Sequence, residues 1–145
     1  MLSFTDLAIS VLEADAYASS RGWSNWTGDD AAKKAALRRG QDYIAGLYNA
    51  RWTTRWDNDD APEPVKFAIV EAACRELVAP GSLLPDVTPG SVKKSVAVSG
   101  AVSVTYAVGE DVAGSMRPVL SVIDGLLAGL IAGKTGTTVT TLARF

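Results

Sequence analysis

Apolar residues recur at helical spacing most cleanly between residues 29 and 49. Leu37, Gly40, Tyr43, Ile44, Leu47 and Tyr48 fall on one face, and Lys33, Lys34, Arg38, Gln41 and Asp42 on the other. The pattern predicts the longest helix of the chain and the frame for the rest. Thr27 and Asp30 have capping-box spacing ahead of it, and Trp26 is placed to staple onto Ala31. The helix runs into Arg51-Trp52-Thr53-Thr54-Arg55-Trp56, a short basic and aromatic repeat.

The other periodic stretches predict three further helices and a change of period between them. Ser10-Val11-Leu12-Glu13 is a capping box opening a first helix that ends near Arg21-Gly22, with Leu12, Ala16 and Tyr17 inward. Pro62 and Pro64 suit the first turn of a third helix with its body over 65–78. Val65, Ile69, Ala72, Ala73 and Leu77 form one stripe of it, and Phe67, Val70, Cys74 and Val78 a second. A helix apolar on two sides is central to a core or buried against a neighbour. Pro80-Gly81 stops it, and 81–90 reads as a linker. Over 91–108 the alternation becomes two, which predicts a β-hairpin. A three-residue turn at 99–101 pairs Val98 with Val102 and Val96 with Val104 and makes one face apolar. Such a face must pack on something, since an isolated hairpin is marginal. Pro118 opens a fourth helix with Val119, Val122, Ile123, Leu126, Leu127 and Leu130 inward and Gly133 at its end. The Thr-rich stretch 134–145 reads as an extended arm carrying Val139, Leu142 and Phe145. The expected fold is mainly α: a small antiparallel bundle of about four helices with an inserted β-hairpin. It divides into a helical domain at 1–133, including the hairpin, and a C-terminal arm at 134–145.

Composition narrows the class. At 145 residues, with 48% apolar and 21% charged residues, the chain has the make-up of one ordinary globular domain. Such a domain buries roughly 68–70% of its unfolded surface. The net charge of -2 gives no global attraction to nucleic acid or anionic membrane, so any DNA contact needs a local patch. One cysteine, Cys74, excludes an internal disulfide. It sits in an apolar helical pattern, where a thiol behaves as a small hydrophobe. The absence of histidine removes the commonest general base and metal ligand. No secretory signal pattern opens the chain. The apolar run 118–132 is interrupted by Asp124 and is shorter than the ~20 residues of a membrane span.

Three local patterns invite a chemical reading. Ala128-Gly129-Leu130-Ile131-Ala132-Gly133-Lys134-Thr135 matches a loose phosphate-binding loop. That chemistry needs a strand before the loop and a helix after it, whereas an amphipathic helix precedes it here, and Gly133 reads better as a helix stop. Asp57, Asp59, Asp60 and Glu63 lack calcium-loop spacing and read as a solvated loop. Arg51, Trp52, Arg55 and Trp56 combine stacking platforms with cations, the mixture that binds single strands. The same residues serve equally at the end of a core or in a subunit interface, and that is the preferred reading of Trp52 and Trp56. No Ser/His/Asp set, Cys/His pair or acid–base carboxylate pair is present, so no catalytic residues, metal site or cofactor is expected and an enzyme is not.

Several segments in order resemble the tailed-phage head–tail connector, or neck adaptor, family. They are Leu12-Glu13-Ala14-Asp15-Ala16-Tyr17, Arg21-Gly22, Trp26, Ala35-Ala36-Leu37-Arg38-Arg39-Gly40-Gln41-Asp42-Tyr43-Ile44, Trp52, Pro64-Val65-Lys66 with Glu71-Ala72, Val92-Lys93-Lys94 before the hairpin ending at Tyr106, and Arg117-Pro118 before Leu126-Leu127. The resemblance implies a dodecameric virion ring in the neck. It implies docking on the portal protein, a partner in the next neck or tail protein (stopper or tail terminator), and passage of double-stranded DNA through the ring without sequence-specific binding. No membrane is involved. In that setting Val139, Leu142, Arg144 and Phe145 would bind the portal. Val96, Val98, Val102, Val104, Tyr106, Trp52 and Trp56 would form the subunit interface. Some relatives carry a single-strand-binding label instead, which makes Arg51, Trp52, Arg55 and Trp56 a nucleic-acid site in the alternative reading.

Overall fold

Ser10 begins the first helix as the sequence predicts. The Glu13 N–H donates to Ser10 Oγ, the Ser10 N–H donates to Glu13 Oε2, and α1 follows at Val11–Ser20. Gly22, at φ 64°, turns the chain away after it. A computed structural model describes residues 1–86, 95–98, 102–105 and 118–133. Within them lie α1, α2 (Asp30–Tyr48), α3 (Glu63–Val78) and α4 (Ser121–Leu127), with 3-10 turns at Asn49–Arg51 and Asn58–Asp60. The architecture is mainly helical.

The cap of α2 is Asp29, whose carboxylate accepts the Ala32 N–H at 2.8 Å. Asp29 displaces the expected Thr27–Asp30 box because a carboxylate suits the positive helix end. Trp26 is buried, but its indole donates to Asp15 Oδ1 at 2.8 Å and Ala31 is exposed, so the expected staple is not made.

Small residues bring α2 and α3 together. Ala36, Leu37, Gly40 and Ile44 meet Val65, Ala68, Ile69, Ala72 and Ala73, all fully buried. At Gly40 a Cβ would stand 2.7 Å from both Ala73 N and Ile69 O. The two backbones therefore touch, and only hydrogen fits between them. The prediction of α3 as the central helix holds: α1, α2 and α4 all pack on it. Its second stripe is only partly covered, since Phe67 is half-buried and Val78 exposed.

Polar side chains inside the core are matched by donors and acceptors, as burial demands. Gln41, expected on the polar face of α2, is fully buried. Its Oε1 accepts the Ala8 N–H at 2.8 Å, and its Nε2 donates to the Ser3 and Asp6 carbonyls at 2.7 Å each. The segment before α1 is thereby laid across α2, with Leu2 and Ile9 in the core. Glu71 accepts from the Tyr17 hydroxyl at 2.9 Å and from Arg75 at 3.1 Å. Burial, then the Glu71 contact, push the Tyr17 hydroxyl up to about 12. Glu76 accepts from Arg39 and from the Gly81 and Leu83 N–H groups, which fixes the turn after α3.

Several inward assignments are corrected. In α1 the buried residues are Ala14, Tyr17 and Ala18; Leu12 is 79% exposed and Ala16 exposed. In α4 Ile123 and Leu127 are fully buried, whereas Val122 is 50% exposed and Val119, which precedes the helix, is 80% exposed. That helix stops at Leu127, well before Gly133. Both are short helices whose buried stripe is narrower than the run of apolar residues.

The backbone at Ser95–Val98 pairs antiparallel with Val102–Thr105, with Val98 opposite Val102 and Val96 opposite Val104. The pairing is all that is described of this stretch. A hairpin inserted into the helical fold, with its valine face packed on it, is not supported. Tyr106 and the proposed arm, with Val139, Leu142, Arg144 and Phe145, lie outside the described residues.

Candidate nucleic-acid interface

The Arg51–Trp56 segment begins where α2 runs out. Tyr48 is the last residue of α2 and its ring is buried. Its hydroxyl donates to Asp124 Oδ1 on α4 at 2.8 Å, and burial followed by that contact holds the hydroxyl's pKa well above its ordinary range. One 3-10 turn later the chain is extended at Trp52. It pairs there with the segment after α4: Thr53 N donates to Leu130 O at 3.0 Å and Ala132 N to Arg51 O at 2.8 Å, with Trp52 bridged to Ile131.

This clip arranges three rings in a row. Tyr48 and Trp52 have centroids 6.1 Å apart, tilted 35°, and Trp52 and Trp56 are 5.1 Å apart at 60°. The Trp52 indole donates to Asn49 Oδ1 at 3.0 Å, and the same Asn49 side chain bonds both backbone groups of Leu2. Trp52 and Trp56 are half-buried, resting on the core with part of each ring in solvent. Arg51 lies with its Cζ 5.4 Å from the Tyr48 centroid and donates to the Ala132 carbonyl at 3.3 Å. Arg55 is exposed. Among the described residues neither arginine has a carboxylate partner, whereas Arg38, Arg39 and Arg75 each do.

The four residues named from the sequence, Arg51, Trp52, Arg55 and Trp56, are thus gathered on one edge. Sequence reasoning missed Tyr48 and Asn49 as their supports and the 130–132 segment as their clamp. Tyr48 was visible only as a core position, and a bridge to a segment nearly eighty residues away leaves no local signal. The acidic residues Asp57, Asp59 and Asp60 are exposed and follow directly. Among the described residues no group of His, Cys, Asp and Glu could hold a metal ion. The loose phosphate-loop match is preceded directly by α4 and begins in a turn, and its Ile131 pairs with Trp52, so the backbone at 130–132 is already engaged. Cys74 is buried and its thiol is pushed up by burial, as suits a small hydrophobe.

The chain belongs to the family described as "Putative DnaT-like ssDNA binding protein", whose model matches residues 6–55 and 52–145. No curated protein and no solved structure matches it. This overturns the head–tail connector resemblance. With it fall the portal and neck partners, the dodecameric ring and the passage of double-stranded DNA. Each shared segment is short and none is specific by itself, whereas the family model matches almost the whole chain.

Proposed function

We propose that this chain is a non-catalytic module that binds single-stranded DNA through the Arg51–Trp56 edge. The observation that carries the reading is the row of rings at Tyr48, Trp52 and Trp56, interleaved in sequence with two arginines that have no carboxylate partner among the described residues. Family membership points to the same ligand. Trp52 and Trp56 offer π-faces to successive bases, a contact that every base can make and that needs no sequence. Tyr48 and Asn49 stay beneath and hold Trp52 in place. Arg51 and Arg55 reach the phosphates. Arg51 is preordered by Tyr48 and the Ala132 carbonyl, which reduces the entropy lost on binding.

The neighbouring aspartates limit the electrostatic share of the affinity. Two phosphate contacts on a single strand correspond to a slope of about -1.4 in log K against log salt. Binding should therefore be mostly stacking and only mildly salt-dependent. The test is fluorescence anisotropy of a labelled oligonucleotide at low salt. Trp52→Ala with Trp56→Ala should weaken binding by roughly 2–6 kcal/mol, since each stacked base contributes about 1–3. Unchanged binding by that double variant, or no binding by the wild-type chain, refutes the proposal.

A further inference from the structure

Among the described residues, the arginines without a carboxylate partner include one far from the Trp52 edge in sequence. Arg21, at the end of α1, is exposed, and its Cζ lies 3.5 Å from the Tyr17 ring centroid. At that separation the guanidinium lies flat on the ring, because an N–H aimed at the ring would hold Cζ further out. The Tyr17 ring covers one side of the cation, whose Nη1 donates to Ser20 Oγ at 3.0 Å, and the residue is otherwise exposed. Phe67 on α3 adds a second ring, 4.7 Å from Tyr17 and 5.3 Å from Arg21 Cζ, and is half-buried. Beside them opens a groove of about 520 Å³, lined also by Glu13, Glu63 and Lys66.

We infer that this groove between α1 and the start of α3 is a second base site, taking one nucleobase of the bound single strand onto the face of Arg21 away from Tyr17. The inference rests on the single-strand reading. A guanidinium plane is an established partner for unstacked bases, and a cation already lying on a ring is preordered for it. The charges select a base over a phosphate. Lys66 is paired with Glu13 at 3.3 Å, and Glu13 is further engaged by Ser10. Glu63 is exposed and has no cation partner among the described residues. A carboxylate repels phosphate but accepts from the exocyclic amino group of cytosine, adenine or guanine. Thymine has no such group, so the site should favour the other three bases.

Photocrosslinking of the wild-type chain to an oligo-deoxycytidine carrying 5-iodocytosine tests this, with the attached peptides located by mass spectrometry. The expected result is attachment at Tyr17 or Phe67 as well as at Trp52 or Trp56. Attachment confined to Trp52 and Trp56 overturns the second site and leaves the first. Attachment confined to Tyr17 and Phe67 supports the second site and moves the interface away from the first. No attachment and no binding overturn both. Arg21→Ala should weaken binding of oligo-deoxycytidine about tenfold, the loss of one stacked base. Arg21→Lys should be as weak as Arg21→Ala, because lysine keeps the charge and lacks the plane. Full affinity in Arg21→Lys would reduce the residue to a charge and overturn the stacking claim.

Discussion

At Gly40 the backbones of α2 and α3 touch, with no room for a methyl group. Two turns further along the same helix, at Tyr48, contact passes to α4 through one hydroxyl–carboxylate bond and then to a single bridge at Trp52. The first region is held by close-packed small and branched residues, every one fully buried. The second is held by a few directional bonds around the buried Tyr48 ring and two tryptophans that remain half in water. Packing makes the first region intolerant of any added volume. Directional bonds let the second be altered without disturbing the core. The proposed binding edge can therefore be disabled while the body stays folded, and variants of the two regions should separate stability from affinity.

The largest effect belongs to the seam. Gly40→Ala places its Cβ against backbone atoms of α3, which cannot rotate away as a side chain could. The cost of such overpacking is on the order of 3 kcal/mol, measurable as a fall in the urea midpoint with an unchanged slope. A loss below about 0.5 kcal/mol would mean that α2 and α3 do not meet as closely as described.

Gln41→Ala should come next, at about 2 kcal/mol, because it leaves the buried Ala8 N–H without its acceptor and takes one of two donors from each of the Ser3 and Asp6 carbonyls, which keep Arg38 and Asn58. The damage should be local. Amide exchange over residues 2–9 should quicken ahead of exchange in α2 and α3. Uniform acceleration across the chain would show that Gln41 does not anchor that segment in particular.

Gln41 also shows where sequence reading stops. Helical period identified α1, α2, α3 and the position of α4, and Leu37, Gly40, Tyr43, Ile44 and Tyr48 were all placed on the core face of α2. The same period put Gln41 among the solvated residues, since periodicity assigns a face and not a partner. The partner is a backbone segment more than thirty residues away. Leu12 and Val119 failed in the opposite direction: each fits an apolar stripe, but the neighbouring element does not reach that far. At the edge, the chemistry of Arg51, Trp52, Arg55 and Trp56 was legible because composition alone carries it. Tyr48, Asn49 and the clamp at 130–132 were not, because they act through the tertiary contacts of α4.

Tyr48→Phe probes that clamp with a smaller effect. It removes the bond to Asp124 while keeping the ring under Trp52. Asp124 is exposed and can turn to water, so stability should fall by only about 1 kcal/mol. Oligonucleotide affinity should fall several-fold, since Arg51 and Trp52 lose part of their support. Affinity that is unchanged in the face of lost stability would place the clamp outside the binding edge.

The smallest effect is the response to acid, and it should separate α1 from both other regions. The Lys33 hydrogen bond, aided by Trp26, lowers the Asp15 carboxyl below its ordinary 3.8. The Ser10 backbone N–H, with its hydroxyl and Lys66, lowers Glu13 below 4.5. A carboxyl lowered by folding lends stability that is complete above its unfolded value and is lost as pH falls through its folded one. Stability should accordingly be level from pH 7 to about pH 5 on this account and decline below about pH 4. The Asp15 side chain is 40% exposed and that of Glu13 51%, so each contributes roughly 0.2–1 kcal/mol after screening. Asp15→Asn should flatten that part of the curve while keeping an acceptor for the buried Trp26 indole. Urea midpoints of the two proteins between pH 3 and pH 7 measure the difference. Curves that run parallel below pH 4 would show that the Asp15–Lys33 pair adds nothing to the fold.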